Sequence, residues 1–267
     1  MVPMIIDFHT HSFPAKLAER AIDSLARRAG MMFPFYRGDE TALIDCIRRG
    51  PADRAVVLNI ATNPKQQHNV NGYAISLLAH PELIPFGSVH PDSPDVFEEL
   101  ERLKAAGIRG IKLHPEYQGF FADEERMLPL YEKIGGMGFV TVFHMGFDLG
   151  YPPPFRADPR RLAKALPAFG GAPVVAAHWG GLTNLPETLQ YLCGRDVYLD
   201  TSFSYGTVSP TMAREIVKRH GADKILLGSD LPWQSTEQNL TFLECLDLPR
   251  EELDAVCGGN ARRILGI

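Results

Sequence analysis

Eight short apolar runs recur along the chain with room for a helix between neighbours, and this alternation restricts the fold more than any other feature. The runs are Met4–Phe8, Ala55–Ile60, Leu83–Val89, Ile108–Leu113, Phe139–Phe143, Pro173–Ala177, Val197–Asp200 and Ile225–Gly228. Most are rich in Val, Ile, Leu or Phe, as expected of parallel strands covered on both faces. The segments between them read as helices. Asp95–Ala106 places Val96, Leu100 and Leu103 on one face, and Gly107 ends it. Glu124–Met137 begins acidic and stops at Gly138, and Asp158–Phe169 has Pro159 at a first helical position. Pro210–His220 and Glu237–Leu246 follow. The last, Pro249–Leu265, carries Glu251 and Glu252 in its first turn, where the helix dipole favours acids. The pattern predicts one α/β domain over residues 1–267, and eight units favour a closed (β/α)8 TIM barrel over an open sheet. A length of 267 residues suits one such barrel, which takes about 250.

Residues 12–53 interrupt the alternation between the first two strands and hold more than one helix. Within them, residues 31–36 are apolar and aromatic. A second irregular stretch, Phe147–Arg156, follows the fifth strand. Loops after strands build the active face of barrels, so both stretches are candidate lids. The formal net charge is −5 with signs well mixed, which argues against a nucleic-acid surface. No run approaches the roughly 20 apolar residues of a membrane span, and the N-terminus lacks a signal-peptide pattern, so a cytoplasmic location is expected. Cys46, Cys193, Cys245 and Cys257 are scattered without a CxxC pair and read as core or helix filler.

Strand alternation sorts side chains by face. Asp7, His9 and His11 share one face, opposite Ile6 and Phe8. Gly110, Lys112 and His114 line up, as do Val140, Val142 and His144, then Val174, Ala176 and His178, then Leu226, Gly228 and Asp230. One phase therefore sends several polar residues inward at the C-terminal ends of different strands, where barrel enzymes keep their catalytic groups. Two imidazoles two apart on a strand can both reach one ion, and neutral imidazole suits Zn, Fe or Ni. A carboxylate balances charge and receives a proton, and an open position activates water. His9, His11, a third histidine and Asp230 supply that inventory. An inward Lys112 is expensive unless paired, so it is expected to meet Asp7, Asp230 or a substrate anion. His114 and Glu116 follow it on the active face, and His90 closes a neighbouring strand. Trp233, Tyr117, Phe147, Tyr151 and Arg156 are candidate pocket walls, and the planar fork of Arg156 suits a carboxylate.

The segments DFHTH (7–11), GIKLHP (110–115), FHMG (143–146), AHWGG (177–181), GSDLPW (228–233) and GNARRIL (259–265) together resemble the amidohydrolase superfamily. They are similar to its amidohydrolase-2 branch of aminocarboxymuconate-semialdehyde-decarboxylase-like proteins. The resemblance implies His9, His11 and His144 as metal ligands. It implies Asp230 as a ligand that also takes a proton from bound water, and His178 as a general acid/base beside it. In binuclear relatives a carbamylated fourth-strand Lys bridges two metals. Lys112 is a fourth-strand Lys, but its place before the strand end resembles the mononuclear branch, which implies one Zn2+ or another divalent transition metal per chain.

The expected activity is hydrolysis of a small carboxylate, lactone, amide or ester. Lys112, His114, Arg156 and Trp233 are the expected substrate contacts. The alternative is a nonoxidative, metal-dependent decarboxylase. A barrel kept for binding without turnover is the reading from another class. The expected partner is a small carboxylic acid or derivative, and a homodimer using the inserted aromatic stretch is compatible with the resemblance.

Overall fold

A computed structural model describes residues 4–267 apart from Met31, Leu149 and Pro152. All eight expected strands form: β1 Ile6–Thr10, β2 Arg54–Leu58, β3 Leu83–Phe86, β4 Gly110–Leu113, β5 Val140–Phe143, β6 Val174–Ala176, β7 Tyr198–Asp200 and β8 Ile225–Leu226. Every neighbouring pair is parallel, in the orders β1-β2-β3 and β4-β5-β6-β7-β8. Two seams close the ring. Gly87 N donates to Gly110 O at 2.9 Å and Lys112 N to Gly87 O at 2.8 Å. Phe8 N donates to Leu227 O at 2.7 Å, and Asp230 N to His9 O at 2.8 Å. The fold is a (β/α)8 barrel.

Three apolar groups fill it. Ile6, Phe8, Val56, Leu58, Phe86, Val142 and Val175 belong to one buried cluster in the barrel interior. Ala55 and Val57 face outward onto Leu43, Ile44 and Ile47 of helix Glu40–Arg49. Ile111, Leu113, Phe143 and Leu199 face outward onto the remaining helices. The insertion holds helices Ala15–Arg28 and Glu40–Arg49. It grips the barrel mouth. Phe13 N donates to Gly38 O at 2.7 Å, Phe35 N to Pro232 O at 2.8 Å, and the Tyr36 hydroxyl to the His11 carbonyl. Met31, within the apolar stretch of the insertion, lies outside the described residues, as do Leu149 and Pro152 of the loop after β5. Helix Pro210–His220 forms with the expected bounds. The expected helix Pro249–Leu265 forms as one unbroken run over Arg250–Leu265, with a π-helical turn at Ala255–Gly259. Gly258 lies against the Met4 carbonyl, 1.9 Å from where a Cβ would sit, so the absence of a side chain lets this helix pack against the start of β1. No helix among the described residues is long and apolar enough to cross a membrane.

Two expected faces differ from those observed. Asp7 pairs with outward Ala55, and Thr10 with outward Val57, so three steps on β1 match two on β2. The extra residue is a β-bulge, which inverts the alternation within the strand. Asp7 therefore points outward, while His9 and His11 point in. On β6 the inward residues are Val175 and Ala177, while Val174 and Ala176 pack outward. His178 reaches the interior because the strand has ended and the chain turns through left-handed backbone at His178 and Trp179, both at φ 56°.

Candidate metal centre

His9, His11 and Asp230 converge at the C-terminal end of the barrel. Asp230 Oδ1 lies 3.1 Å from His11 Nε2 and 3.4 Å from His9 Nε2. The far nitrogens decide what these contacts are. His11 Nδ1 is 3.0 Å from the Leu58 carbonyl, which only accepts, so that nitrogen carries a proton. His9 Nδ1 is 2.8 Å from Asp200 Oδ2 and donates to it in the same way. With the Nδ1 proton of each ring so placed, it is Nε2 that is left to present a lone pair to the Asp230 carboxylate. Three electron-pair donors meet with no hydrogen between them, an arrangement that calls for a cation. Two imidazoles and a carboxylate suit a divalent transition metal.

Burial pushes His9 down to about 3, with Lys112 adding to the effect. For Asp230, burial favours the neutral acid, but the adjacent imidazole of His11 and those of His9 and His178 outweigh it and hold the carboxyl at about 2. Asp200 is opposed by burial yet is held well below the usual carboxylate range by the imidazoles of His9 and His178 and the Ser202 hydroxyl. Both carboxylates are therefore ionised at neutral pH.

Sequence reasoning did not single out Asp200, although it ends the seventh apolar run on the inward face. Besides His9, it accepts from His178 N at 2.9 Å, Ser202 N at 3.0 Å and the Ser202 hydroxyl. It thus orients both a candidate ligand and the turn that carries His178. The Ser202 hydroxyl donates to Asp200 and so can only accept from His178 Nδ1, 2.8 Å away. That leaves His178 Nε2 to accept from His144 Nδ1 at 3.1 Å. Burial lowers the pKa of His178, keeping it neutral.

His144 is not among the three converging donors. Its ring stacks on His114 with centroids 4.1 Å apart, and its buried Nε2 has no hydrogen-bond partner. That nitrogen faces a second group with His114 and Asp148, where Asp148 Oδ2 is 3.4 Å from His114 Nε2. Asp148, in the loop after β5, was also missed; nothing in FDLGYPPPFR marks it apart from other loop acids. Asp7 lies behind the centre. It accepts from Ser229 N at 2.9 Å and Thr236 Oγ1 at 2.6 Å, and burial pushes it up to about 6.

Lys112 projects inward from β4, 1% exposed, and its Nζ has no hydrogen-bond partner. The expected structural ion pair with Asp7 or Asp230 does not form, because the bulge turns Asp7 to the outer face and Asp230 is engaged by the histidines. Burial lowers Lys112 to about 8, with Asp200 and Asp230 working against the shift. A cavity of about 920 Å³ opens above, and His9, His11, Lys112, His114, Asp230 and Trp233 line it. Arg156 departs from expectation. Its Nη1 lies 3.3 Å from Glu116 Oε2 and its guanidinium packs over Phe121, so it stands outside the cavity wall. Glu116 is consumed in the same pair. His90 is also structural, its Nδ1 accepting from Asp92 N at 3.2 Å.

Comparison with known proteins adds to this geometry. The family model described as amidohydrolase (Amidohydro_2) matches residues 6–267. No curated protein matches the chain. Among solved structures, an uncharacterized TIM-barrel protein from Bordetella bronchiseptica is 18% identical with a TM-score of 0.79, covering 98% of each chain. A putative 2-pyrone-4,6-dicarboxylic acid hydrolase from Pseudomonas putida is 19% identical with a TM-score of 0.68, covering 100% of this chain and 98% of the other. A dihydroxybenzoic acid decarboxylase from Polaromonas sp. JS666, with bound manganese and the inhibitor 2-nitroresorcinol, is 13% identical with a TM-score of 0.69, covering 99% and 97%. At these identities the likeness is one of fold.

Proposed function

The chain belongs to the amidohydrolase family of metal-dependent hydrolases and decarboxylases, and from that premise we propose that it hydrolyses a small carboxylate, lactone, amide or ester at the barrel mouth. One observation carries this reading: the lone pairs of His9 Nε2 and His11 Nε2 and the Asp230 carboxylate meet at one point. Those three residues would hold one zinc-like divalent ion. His144, whose Nε2 lacks a partner, is the further donor in the same wall. When bound, the ion would acidify water or polarise a substrate oxygen. Asp230, ionised, accepts a proton at its carboxylate. His178, neutral with its ring proton on Nδ1 toward Ser202, takes up a proton at Nε2 as water attacks and then delivers that proton to the leaving group. Lys112 takes the anionic group of the substrate at Nζ, and His114 and Trp233 line the space beside it.

The position of Lys112 also supports a second reading, decarboxylation. It presents a cation without a partner in the wall that also carries His178. A substrate carboxylate held there loses CO2 as its C–C bond breaks, and the carbon that keeps the electron pair takes a proton that His178 Nε2 has first drawn from solvent water. Product analysis separates the two readings when metal-loaded protein is given small acids, lactones and esters. Released CO2 supports decarboxylation; an opened ring, free alcohol or free amine supports hydrolysis. The centre itself is tested by metal content. His9→Ala and His11→Ala are expected to empty it, while His178→Asn keeps the metal and abolishes most turnover. Unchanged metal in both alanine variants would remove the proposed centre.

A further inference from the structure

We propose that Trp179, Ser204 and Asn239 form a buried clamp that positions the His178 imidazole against Asp230, so that proton transfer at His178 depends on three residues standing behind the cavity wall. The inference rests on reading His178 as the proton carrier of the site.

The loops after β6, β7 and β8 each pass through left-handed backbone at a residue that bears a side chain. His178 and Trp179 both lie at φ 56°, Phe203 at 62° and Asp230 at 73°. Such conformations persist only where the surroundings over-determine them. Asp200 and Ser202 hold one side of His178, through its backbone N and its Nδ1. Trp179 holds the other. Its ring is fully buried and roughly edge-on to Phe242 of helix Thr236–Glu244, with centroids 6.3 Å apart. Its Nε1 donates to Ser204 Oγ at 2.7 Å. The indole therefore anchors the residue next to His178 to the loop that carries Ser202.

Ser204 is fixed in turn. Its hydroxyl donates to the Thr201 carbonyl, which leaves its lone pairs for the indole. Its backbone N donates to Asn239 Oδ1 at 3.2 Å. Asn239 Nδ2 faces the Ser229 carbonyl at 3.4 Å, the Ser235 carbonyl at 3.2 Å and Gln234 Oε1 at 3.2 Å. Ser229 is the residue before Asp230, and Ser204 and Asn239 are as buried as Trp179. A polar chain thus runs from the indole beside His178 to the carbonyl beside Asp230 and ties three loops together. Apolar packing would bury the same ring, but only directed hydrogen bonds fix how the loops are turned.

The test is the imidazole proton–nitrogen multiple-bond correlation spectrum of zinc-loaded protein with isotopically labelled histidine, His178 being assigned through His178→Asn. Wild type is expected to show His178 as the Nδ1–H form. Trp179→Phe keeps an aromatic ring and deletes the N–H, while Ser204→Ala deletes its acceptor. Each should move the His178 signals toward those of a ring exchanging between tautomers, as the 2.8 Å contact with Ser202 loosens. The His9 and His11 signals should stay, with the zinc Kd within about twofold of wild type, because neither residue supports a ligand. Asn239→Leu also releases the Ser229 carbonyl, so it should move His178 and raise the zinc Kd about tenfold. Wild-type His178 signals in both Trp179→Phe and Ser204→Ala overturn the clamp. So does a shift shared by all the histidines, which marks general loosening. Failure of the proton role is seen separately, as wild-type turnover in His178→Asn.

Discussion

Replacing Asp200 by Asn tests the logic of the centre without touching a proposed ligand. The carboxylate fixes His9 as the Nδ1–H form across a 2.8 Å contact between two groups with almost no exposure. An amide at this position can keep its oxygen on the His178 and Ser202 N–H groups, both now served by Oδ1. Its NH2 then faces His9 Nδ1, which must become an acceptor. The ring proton moves to Nε2, into the position where the cation belongs, and the lone pair that binds metal is lost. Partners of this kind are worth 10–100-fold in metal affinity, or about 1.4–2.7 kcal/mol. Asp200→Asn should therefore raise the metal Kd by that factor at neutral pH, measured by competition with a chromogenic chelator. The circular dichroism spectrum should remain that of wild type, since the two backbone contacts survive. A Kd within twofold of wild type, in a protein that still needs His9 for metal, would refute the assignment of the His9 tautomer to Asp200.

Two further perturbations probe the same wall. Lys112→Met removes a buried cation whose pKa falls from the ordinary 10.5 to about 8 in the folded chain, a penalty of about 3 kcal/mol by linkage. The unfolded chain binds the proton more tightly, so the penalty is full below pH 8 and vanishes above 10.5; metal-free Lys112→Met should melt higher than metal-free wild type at pH 7 and lose that advantage by pH 10.5, and equal melting at pH 7 would contradict the burial account. The same variant should raise KM for an anionic substrate, and wild-type KM should climb above pH 8 as Nζ loses its proton. Gly228→Ala would place a Cβ 2.9 Å from the His9 Cβ, and His9 cannot retreat because Asp200 pins its far nitrogen, so metal content should fall at least about tenfold with little loss of secondary structure.

Strand alternation read the barrel well where strands are regular. On β4, β5 and β8 it sends Lys112, His144 and Asp230 inward, and the observed register agrees, with Lys112 opposite inward Val142 and Leu226 opposite Asp200. The same rule applied to β7 puts Asp200 on the inward face, so VYLD carries the signal for it. Other features have no local signal. Arg156 lies in an irregular loop, and its contact with Glu116 spans 40 residues, so no spacing rule could turn it away from the cavity. Asn239 sits on the helix after β8, and only tertiary packing brings its amide to the loop after β7.

The bulge in β1 shows how one unread backbone feature organises the whole centre. A regular strand would send Asp7, His9 and His11 to the same side, and Asp7 would then add a third acid beside Asp200 and Asp230. One extra residue instead places Asp7 and His9, two apart in sequence, on opposite faces of the sheet. Outward Asp7 receives Ser229 N and the Thr236 hydroxyl, and so ties the loop carrying Asp230 to the strand carrying the histidines. Inward His9 accepts its orientation from Asp200 across the barrel. The contact of Asp230 Oδ1 with both Nε2 atoms therefore depends on fastenings made on either side of one strand, and the bulge is what lets a single short segment supply both.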